Sequence, residues 1–199
     1  MLKVYGRKNS SNSAKVFWLL DELGEPYDLV LTGRGFGATD TPEFLALNPF
    51  GKVPVLCDGE AVVWESNAVL RYLAGRGPNA LWPGDAAGRS LADRWMDWVS
   101  ISLNPALTRL RKARADGKPG TETDLAAVIR GAEALDRWLA AHRFLAGDTL
   151  TIADITAAPA VYRWFLLPES SMPLPALARY RDQLEANEGY RRHISGALK

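Results

Sequence analysis

The chain has 199 residues, of which 47% are hydrophobic and 24% are charged, and its formal net charge is +1. This length is enough for one large domain or for two small domains with a real core. The near-neutral charge gives no electrostatic reason to expect nucleic acid or a membrane surface as a partner. A soluble protein that binds a small ligand fits this composition better.

Cys57 is the single cysteine, so an intrachain disulfide, a C-x-x-C pair and a cysteine metal cluster are all excluded. It lies in an apolar run, which predicts a packed core thiol. His142 and His193 have no partner at metal-ligand spacing, so we expect both at the surface and no metal. Met1 leads directly into a strand and no apolar run is long enough to span a membrane. We therefore expect no signal peptide, no transmembrane helix and a cytoplasmic location.

The first part of the chain alternates strands and helices. Leu2–Tyr5 is typical of a strand, apolar residues at helical spacing predict a helix that Gly24 ends, and 27–31 is typical of a second strand. This order predicts a right-handed βαβ unit with a parallel strand pair. The glycine-rich segment 32–40 that follows lacks the G-K-[ST] ending of a phosphate loop and is interpreted as a mobile loop.

A second set of elements completes the first domain. Thr41 is expected to cap a short helix that has Pro42 at its first position. Strands at 53–57 and 61–63 are predicted to form a hairpin, and a helix at 66–74 follows. The order βαβ, helix, ββ, helix is the thioredoxin-like arrangement.

The remainder is predicted to be all-helical. We assign 1–77 to the thioredoxin-like domain, 78–84 to a linker rich in glycine and proline, and 85–199 to the second domain. The fold class is therefore α/β plus all-α. A capping box from Thr151 to Asp154 marks one helix start. The predicted helices are 86–114, 123–141, 151–166 and 174–187, with a short one after Asn187.

Residues 48–73 carry the functional signal. Pro54 interrupts a run of β-forming residues, and because it has no N–H to give, it is confined to an edge or a special turn. A cis Val53–Pro54 bond would leave the backbone of Val53 open to a ligand with its own peptide backbone; the alternative is a trans proline that blunts an edge strand. Glu65 and Ser66 precede a helix, where they form either a carboxylate site or an ordinary cap.

The two motifs N-P-F-G-K-V-P-V-L and W-E-S-N-A-V-L-R-Y-L, at 48–56 and 64–73, together resemble the glutathione-binding half of cytosolic glutathione transferases. The resemblance is strongest to bacterial, theta-like members of the serine or asparagine type. It implies that Val53, before a cis Pro54, pairs with the cysteinyl backbone of glutathione. It also implies that the glutamate and serine of the second motif hold the γ-glutamyl end.

The loop before the first helix is where the resemblance implies thiol activation. A thiol with a pKa of about 8.5 is only a few per cent thiolate at neutral pH, so a donor at a helix N-terminus would raise the reactive fraction. The pattern S-x-N-x-x-K-V resembles the activating loop of serine-type members and indicates Ser10, then Asn12, then Ser11. At least one of Ser11, Asn12 and Ser13 is expected to be a helix cap. No cysteine lies in this loop, which argues against the disulfide-reducing omega and beta types.

Other contacts are implied less specifically. Lys52 or Arg34 is expected to hold the glycine carboxylate of glutathione. Phe50 stands where a small or polar residue is more usual, and is interpreted either as inserting into the partner subunit of a homodimer or as covering the hairpin. The second-substrate pocket is expected between the domains. The candidates for lining this pocket are Trp98, Ser102, Arg109 and Trp164. The helical spacing of some of these residues equally indicates a helix core.

The resemblance covers essentially the whole chain. It implies a homodimeric, detoxifying glutathione transferase that uses glutathione as co-substrate, without a metal, for attack on an electrophilic and apolar small molecule. Two alternatives stay open. One is a binding or scaffold protein with the same fold and no turnover, and the other is a glutathione-dependent disulfide or peroxide reductase.

Overall fold

The computed structural model describes residues 1–198. These residues divide into two units: residues 1–82 together with the segment that begins at Asn187, and residues 83–186. Within the described part of the chain, no helix is long and apolar enough to cross a membrane.

The first unit is built on one mixed sheet. Its strand order is β2-β1-β3-β4, with β1 parallel to β2 and antiparallel to β3, and β3 antiparallel to β4. This arrangement confirms the thioredoxin-like fold predicted from the element order. In chain order the elements are β1 (Leu2–Gly6), α1 (Ser11–Leu23), β2 (Tyr27–Leu31), α2 (Pro42–Leu47), β3 (Val55–Asp58), β4 (Ala61–Trp64) and α3 (Ser66–Gly75).

Helix α1 is held in place by the core of this unit. Val4 of β1 pairs in register with Leu56 of β3, and both side chains are fully buried. The fully buried Trp18 belongs to the apolar face of α1, which also contacts α3. Gly24 ends the helix at a φ of +64°, a left-handed conformation that glycine adopts without a steric penalty. The loop between β1 and α1 therefore leads into a helix that the core holds in place.

The C-terminal segment packs on α1 and so belongs to the first unit, which differs from the predicted domain 85–199. It contains α9 (Glu188–Tyr190) and a π-helical turn at Arg191–Ser195. The ring of Tyr190 meets Trp18 edge-on at 5.7 Å. Arg192 and His193 each approach Asp21 Oδ2 at 2.8 Å. His193 is thus buried against α1, and the prediction that it lies at the surface is wrong.

The second unit is helical, as predicted. The helix expected at 86–114 is interrupted by a π-helical turn at Val99–Leu103. Pro105, in the first turn after it, has no N–H to donate, so the regular hydrogen-bond ladder cannot run through this point. The helices are α4 (Ala86–Trp98), α5 (Asn104–Ala115), α6 (Glu122–Leu139), α7 (Ile152–Trp164) and α8 (Pro175–Glu185), with a 3-10 turn at Pro168–Ser171.

The start of α7 contains the predicted capping box. Thr151 caps the helix, and Asp154 Oδ2 accepts a hydrogen bond from the Thr151 N–H at 2.8 Å. Asp154 is fully buried, and its Oδ1 accepts from the Leu145 N–H at 2.9 Å and from the Tyr180 hydroxyl at 2.8 Å. Burial raises the pKa of Asp154 although these hydrogen bonds act in the opposite direction. The carboxylate therefore joins three separate segments of the unit.

Candidate functional site

The edge of the sheet at Val53 has the geometry that a peptide ligand requires. The Val53–Pro54 peptide bond is cis. Strand β3 begins at Val55, two residues later than predicted, because Pro54 has no N–H for the ladder. Among residues 1–198, no hydrogen bond involves the backbone N–H or C=O of Val53. A donor and an acceptor on one residue are suited to pairing with an extended backbone.

The loop before this edge is shaped by Asn48. Its buried amide donates to the Lys52 carbonyl at 2.9 Å and accepts from the Phe50 N–H at 3.0 Å. Gly51 lies between them at a φ of +59°, which favours glycine. The N-P-x-G-K segment is therefore a closed turn that leads the chain into Val53.

The N-terminus of α3 forms a second part of the site. Glu65 has a φ of +67°, a conformation that is strained for a non-glycine residue and occurs often at functional sites. Its exposed side chain makes no capping hydrogen bond, so its carboxylate is not used to close the helix. Ser66, the first residue of α3, is only 6% exposed. The first N–H groups of a helix have no acceptor within the helix, so this helix end is suited to a carboxylate.

Lys15, for which the sequence predicts no role, lies at this helix end and contacts Asn67. It comes from α1, is 2% exposed, and donates from Nζ to Asn67 Oδ1 at 3.2 Å. Burial lowers the pKa of Lys15 to about 7, although the nearby Glu65 carboxylate acts to raise it. The burial of Lys15 could have been predicted from the sequence, because this lysine lies on the apolar face of a predicted helix.

Ser10 is the cap of α1. Its φ and ψ are −101° and 119°, and its hydroxyl oxygen accepts from the Ser13 N–H at 3.4 Å. The expectation that the cap is Ser11, Asn12 or Ser13 is therefore wrong. The helix starts at Ser11, and the extended Ser10 before it is the residue whose side chain accepts from an N–H group of the first turn. The capping bond uses a lone pair of the oxygen, and the hydroxyl proton stays available to donate.

The other residues of this loop differ in their exposure. Ser11 is half-buried and Asn12 is exposed, both in the first turn of α1. Ser13 is fully buried, and its hydroxyl has no hydrogen-bond partner within residues 1–198. A Cβ atom on Gly6 would lie 2.8 Å from Ser13 Oγ, so the hydroxyl fills space against β1. Ser10, Ser11 and Asn12 therefore remain together at the helix N-terminus, and Ser13 is part of the core.

Cations gather near the Val53 edge. Arg34 has a φ of +35° and follows Gly33. A Cβ atom placed on Gly33 would lie 3.6 Å from the Val53 side chain and 3.7 Å from Arg7 Nε, so Arg7 and Val53 both approach this loop. Burial, and then the charge of Arg34, lower the pKa of Arg7. Lys52 is exposed directly before Val53. Arg7 was not predicted from the sequence because only the fold brings the end of β1 to this loop.

The four predicted second-substrate residues lie in three different places in the helical unit. Trp98 and Ser102 line one cleft of about 220 Å³ in the helical unit, together with Arg130. Arg109 is engaged by Asp124 through two hydrogen bonds, at 2.6 and 3.0 Å. Trp164 is 3% exposed and lies in the apolar core. Within residues 1–198, no group of three or more His, Cys, Asp or Glu side chains could hold a metal ion.

Comparisons with known proteins agree with this geometry. The chain matches the family model described as "Glutathione S-transferase, N-terminal domain" over residues 1–75 and the one described as "Glutathione S-transferase, C-terminal domain" over 99–188. It is 37% identical over 204 residues to glutathione S-transferase GstB of Escherichia coli, covering 98% of each chain. It is 34% identical over 172 residues to glutathione S-transferase 3 of Zea mays, covering 79% of this chain and 75% of the relative.

One similar solved structure contains the ligand. It is the theta class glutathione S-transferase from the citrus canker pathogen Xanthomonas axonopodis pv. citri with glutathione bound. The sequence identity is 36%, the TM-score is 0.84, and the match covers 97% of this chain and 96% of that one. Relatives from two bacteria and a plant are thus similar in sequence to this chain, and the Xanthomonas structure shares its fold.

Proposed function

Since this chain belongs to the glutathione S-transferase family, we propose that the Val53 edge and the N-terminus of α3 bind reduced glutathione, and that the loop before α1 activates its thiol. The family and glutathione as co-substrate, both predicted from the two motifs, and the fold class, predicted from the element order, are confirmed by the comparisons. The chain is a glutathione transferase. Neither the scaffold nor the reductase alternative gains support from them.

The observation that carries the binding proposal is the open backbone of Val53. The cysteinyl N–H of glutathione donates to the Val53 carbonyl, and the Val53 N–H donates to the cysteinyl carbonyl. The γ-glutamyl carboxylate accepts from the N–H and hydroxyl of Ser66, and the γ-glutamyl ammonium donates to Glu65. The glycine carboxylate lies against Lys52 or Arg34, where positive charge favours it.

Thiol activation is assigned to Ser10, with Asn12 and then Ser11 as the alternatives. Lowering the pKa of the glutathione thiol by two units takes about 2.7 kcal/mol of preferential stabilisation of the thiolate. A hydrogen bond to a charged group supplies about 1.5 to 3 kcal/mol and a helix N-terminus about 0.3 to 1 kcal/mol. The thiol proton leaves to solvent, the thiolate forms a bond to the electrophilic carbon, and the leaving group departs with its electron pair.

We further propose a homodimer in which Phe50 inserts into the partner subunit. Phe50 is 64% exposed although it is aromatic, and its ring meets Trp64 edge-on at 5.3 Å. Val62 on the edge strand β4 is also exposed, at 42%. Val62 lies two residues before Trp64 in this strand, and exposed apolar groups that form a patch are typical of a subunit interface. Phe50→Ser is expected to give a monomer in sedimentation velocity, and an unchanged dimer would contradict the assignment.

A cytoplasmic location is part of the same proposal. The cytosol holds its glutathione pool at a reducing potential, so the free thiol that the reaction consumes is present there.

Binding is tested by calorimetric titration with reduced glutathione and with S-hexylglutathione. Wild-type protein is expected to bind both, and Ser66→Ala to weaken both by about tenfold, since one hydrogen bond to a charged group is lost. Ser90→Ala, which removes an exposed serine of α4, is the matched control and is expected to bind like wild type. Unchanged affinity in Ser66→Ala would contradict the γ-glutamyl assignment, and no binding by wild type would contradict the proposed glutathione site as a whole.

A further inference from the structure

The ammonium group of Lys15 is buried, and the chain satisfies only part of it. Lys15 lies on α1 and is 2% exposed. An ammonium carries three N–H donors. Within residues 1–198, one of these donors has an acceptor, Asn67 Oδ1 at 3.2 Å, and no carboxylate forms an ion pair with Lys15. A buried charge with one neutral partner is destabilising, because the water that would solvate it is excluded.

The hydrogen bond to Asn67 joins the two halves of the proposed glutathione site. Lys15 belongs to α1, and the loop before α1 carries the proposed thiol donors. Asn67 is the second residue of α3, in the turn to which the γ-glutamyl end is assigned. The two helices pack against each other within the first unit. The ammonium of Lys15 therefore lies against the first turn of α3.

The charges near Lys15 come from the side of α3. Burial lowers the pKa of Lys15 to about 7, and the carboxylate of Glu65, which directly precedes α3, acts in the opposite direction. The C-terminal segment also packs on α1, but its Arg192 and His193 contact Asp21, further along that helix. A second carboxylate bound at the first turn of α3 would therefore act on Lys15 as Glu65 does, and would favour its charged form.

We propose that Lys15 makes the site specific for the γ-glutamyl carboxylate, by holding a buried positive charge behind the N-terminus of α3. The helix end alone contributes about half an elementary charge, and its effect falls off within one turn. A full charge in a buried place adds to this attraction, since the surrounding protein screens it less than water does. Lys15 acts through space and through Asn67, without touching glutathione. This inference rests on the proposed function, which assigns the γ-glutamyl end to α3.

The test compares two ligands that differ in one carboxylate. One is S-hexylglutathione, and the other is the same compound with 4-aminobutanoyl in place of the γ-glutamyl group, which keeps the ammonium and lacks the carboxylate. Neither has a free thiol, so thiol ionisation does not contribute. Calorimetric titration at pH 6 is expected to show that wild type prefers S-hexylglutathione, and that Lys15→Met lowers this preference about tenfold. General damage to the packing would weaken both ligands alike and leave their ratio unchanged.

The pH dependence of the preference separates the charge of Lys15 from its packing. As pH rises from 6 to 8, Lys15 of the free protein loses its proton, so the preference of wild type is expected to fall about fivefold. A guanidinium stays charged over this range, so Lys15→Arg is expected to keep its preference at pH 8. Lys15→Met gives the baseline for the titration of Glu65 and of the ligands themselves.

Lys8→Met is the matched control because it removes an exposed lysine from the loop before α1. Water and salt screen such a charge, so the preference is expected to stay at the wild-type value. A preference that is unchanged in Lys15→Met, or that falls equally in Lys8→Met, would overturn the proposal. Circular dichroism of each variant checks folding. The pH series on wild type still tests the proposal if Lys15→Met does not fold, because a preference that stays constant from pH 6 to 8 contradicts it.

The same titrations distinguish this inference from the proposed function. If wild type binds neither ligand, the proposed glutathione site fails. If wild type binds both ligands equally, the γ-glutamyl assignment to α3 fails. If wild type prefers S-hexylglutathione and Ser66→Ala weakens its binding, but the preference depends neither on Lys15 nor on pH, the γ-glutamyl site stands and the role of Lys15 is refuted.

Discussion

Helix α7 carries a buried ionisable group near each end, and the fold surrounds the two groups in opposite ways. Asp154, at the start, accepts hydrogen bonds from Leu145, Thr151 and Tyr180. Arg163, at the end, is half-buried and has no hydrogen-bond partner within residues 1–198. A buried ionisable group with a structural role, such as Asp154, receives its hydrogen bonds from the chain itself. The chain supplies no such partner to the guanidinium of Arg163 within residues 1–198.

The largest expected effect comes from Asp154. Asp154→Ala leaves the N–H of Leu145, the N–H of Thr151 and the Tyr180 hydroxyl without their acceptor in a buried place. Unsatisfied buried donors of this kind cost about 1 to 3 kcal/mol each, so we expect a loss of roughly 3 to 5 kcal/mol in the free energy of unfolding. Urea denaturation followed by circular dichroism measures this. A loss below about 1 kcal/mol would show that these donors find water or other acceptors.

Lys15 lies between the two extremes, because it is buried with one hydrogen bond and one nearby carboxylate. Its pKa is about 7 in the folded protein, below the ordinary value of 10.5. Between these pH values the unfolded chain binds more protons than the folded one, so the free energy of unfolding rises with pH. The charged lysine is therefore destabilising below pH 7, and this penalty is relieved as pH rises toward 10.

The measurement is urea denaturation at a series of pH values from 7 to 10. We expect Lys15 to contribute a rise on the order of 3 kcal/mol over this range in wild type. That rise is expected to be missing in Lys15→Met and retained in Lys8→Met, which replaces an exposed lysine. Parallel pH curves for wild type and Lys15→Met would show that Lys15 keeps an ordinary pKa.

Arg163 is expected to behave in the direction opposite to Asp154. Replacing an uncompensated, partly buried cation with an apolar side chain of similar length removes the desolvation penalty, so Arg163→Met should raise the free energy of unfolding by about 1 to 2 kcal/mol. Arg137→Met, at an exposed site, is expected to stay within about 0.5 kcal/mol of wild type. A destabilised Arg163→Met would mean that the guanidinium has a structural role, and the contrast with Asp154 would be lost.

The functional motifs were readable from the sequence because their chemistry is local. A proline in a β-forming run already indicates a backbone that cannot pair, and the cis bond before Pro54 confirms that interpretation. The interruption of the long helix near Pro105 was not predicted, although the missing N–H is equally local.

Other features depend on contacts between distant segments. The burial of His193 follows from the return of the C-terminal segment to Asp21, and sequence spacing carries no information about that contact. The electrostatic effect of Arg111 on Arg163 is of the same kind, because α5 and α7 come into contact only in the folded chain. Sequence patterns therefore indicated the Val53 edge, but not the contacts between charged side chains that form only in the tertiary fold.

Ser10 gives the smallest stability effect and the sharpest test of function, because one hydroxyl is assigned two roles. As a helix cap it accepts from the Ser13 N–H, and as the proposed activator it donates to the thiolate. Ser10→Ala removes both roles, with an expected loss of about 1 kcal/mol in the free energy of unfolding and a rise of about 1 to 2 units in the pKa of bound glutathione.

Ser10→Asp separates the two roles. Aspartate caps a helix as well as serine does, so the stability is expected to return to near the wild-type value. Its negative charge repels the thiolate, so the pKa of the bound thiol, read from the ultraviolet absorbance of the thiolate, should rise at least as far as in Ser10→Ala. If the thiol pKa stays low in both variants while it rises in Asn12→Ala, the activating donor is the amide of Asn12, and Ser10 serves only as the cap of α1.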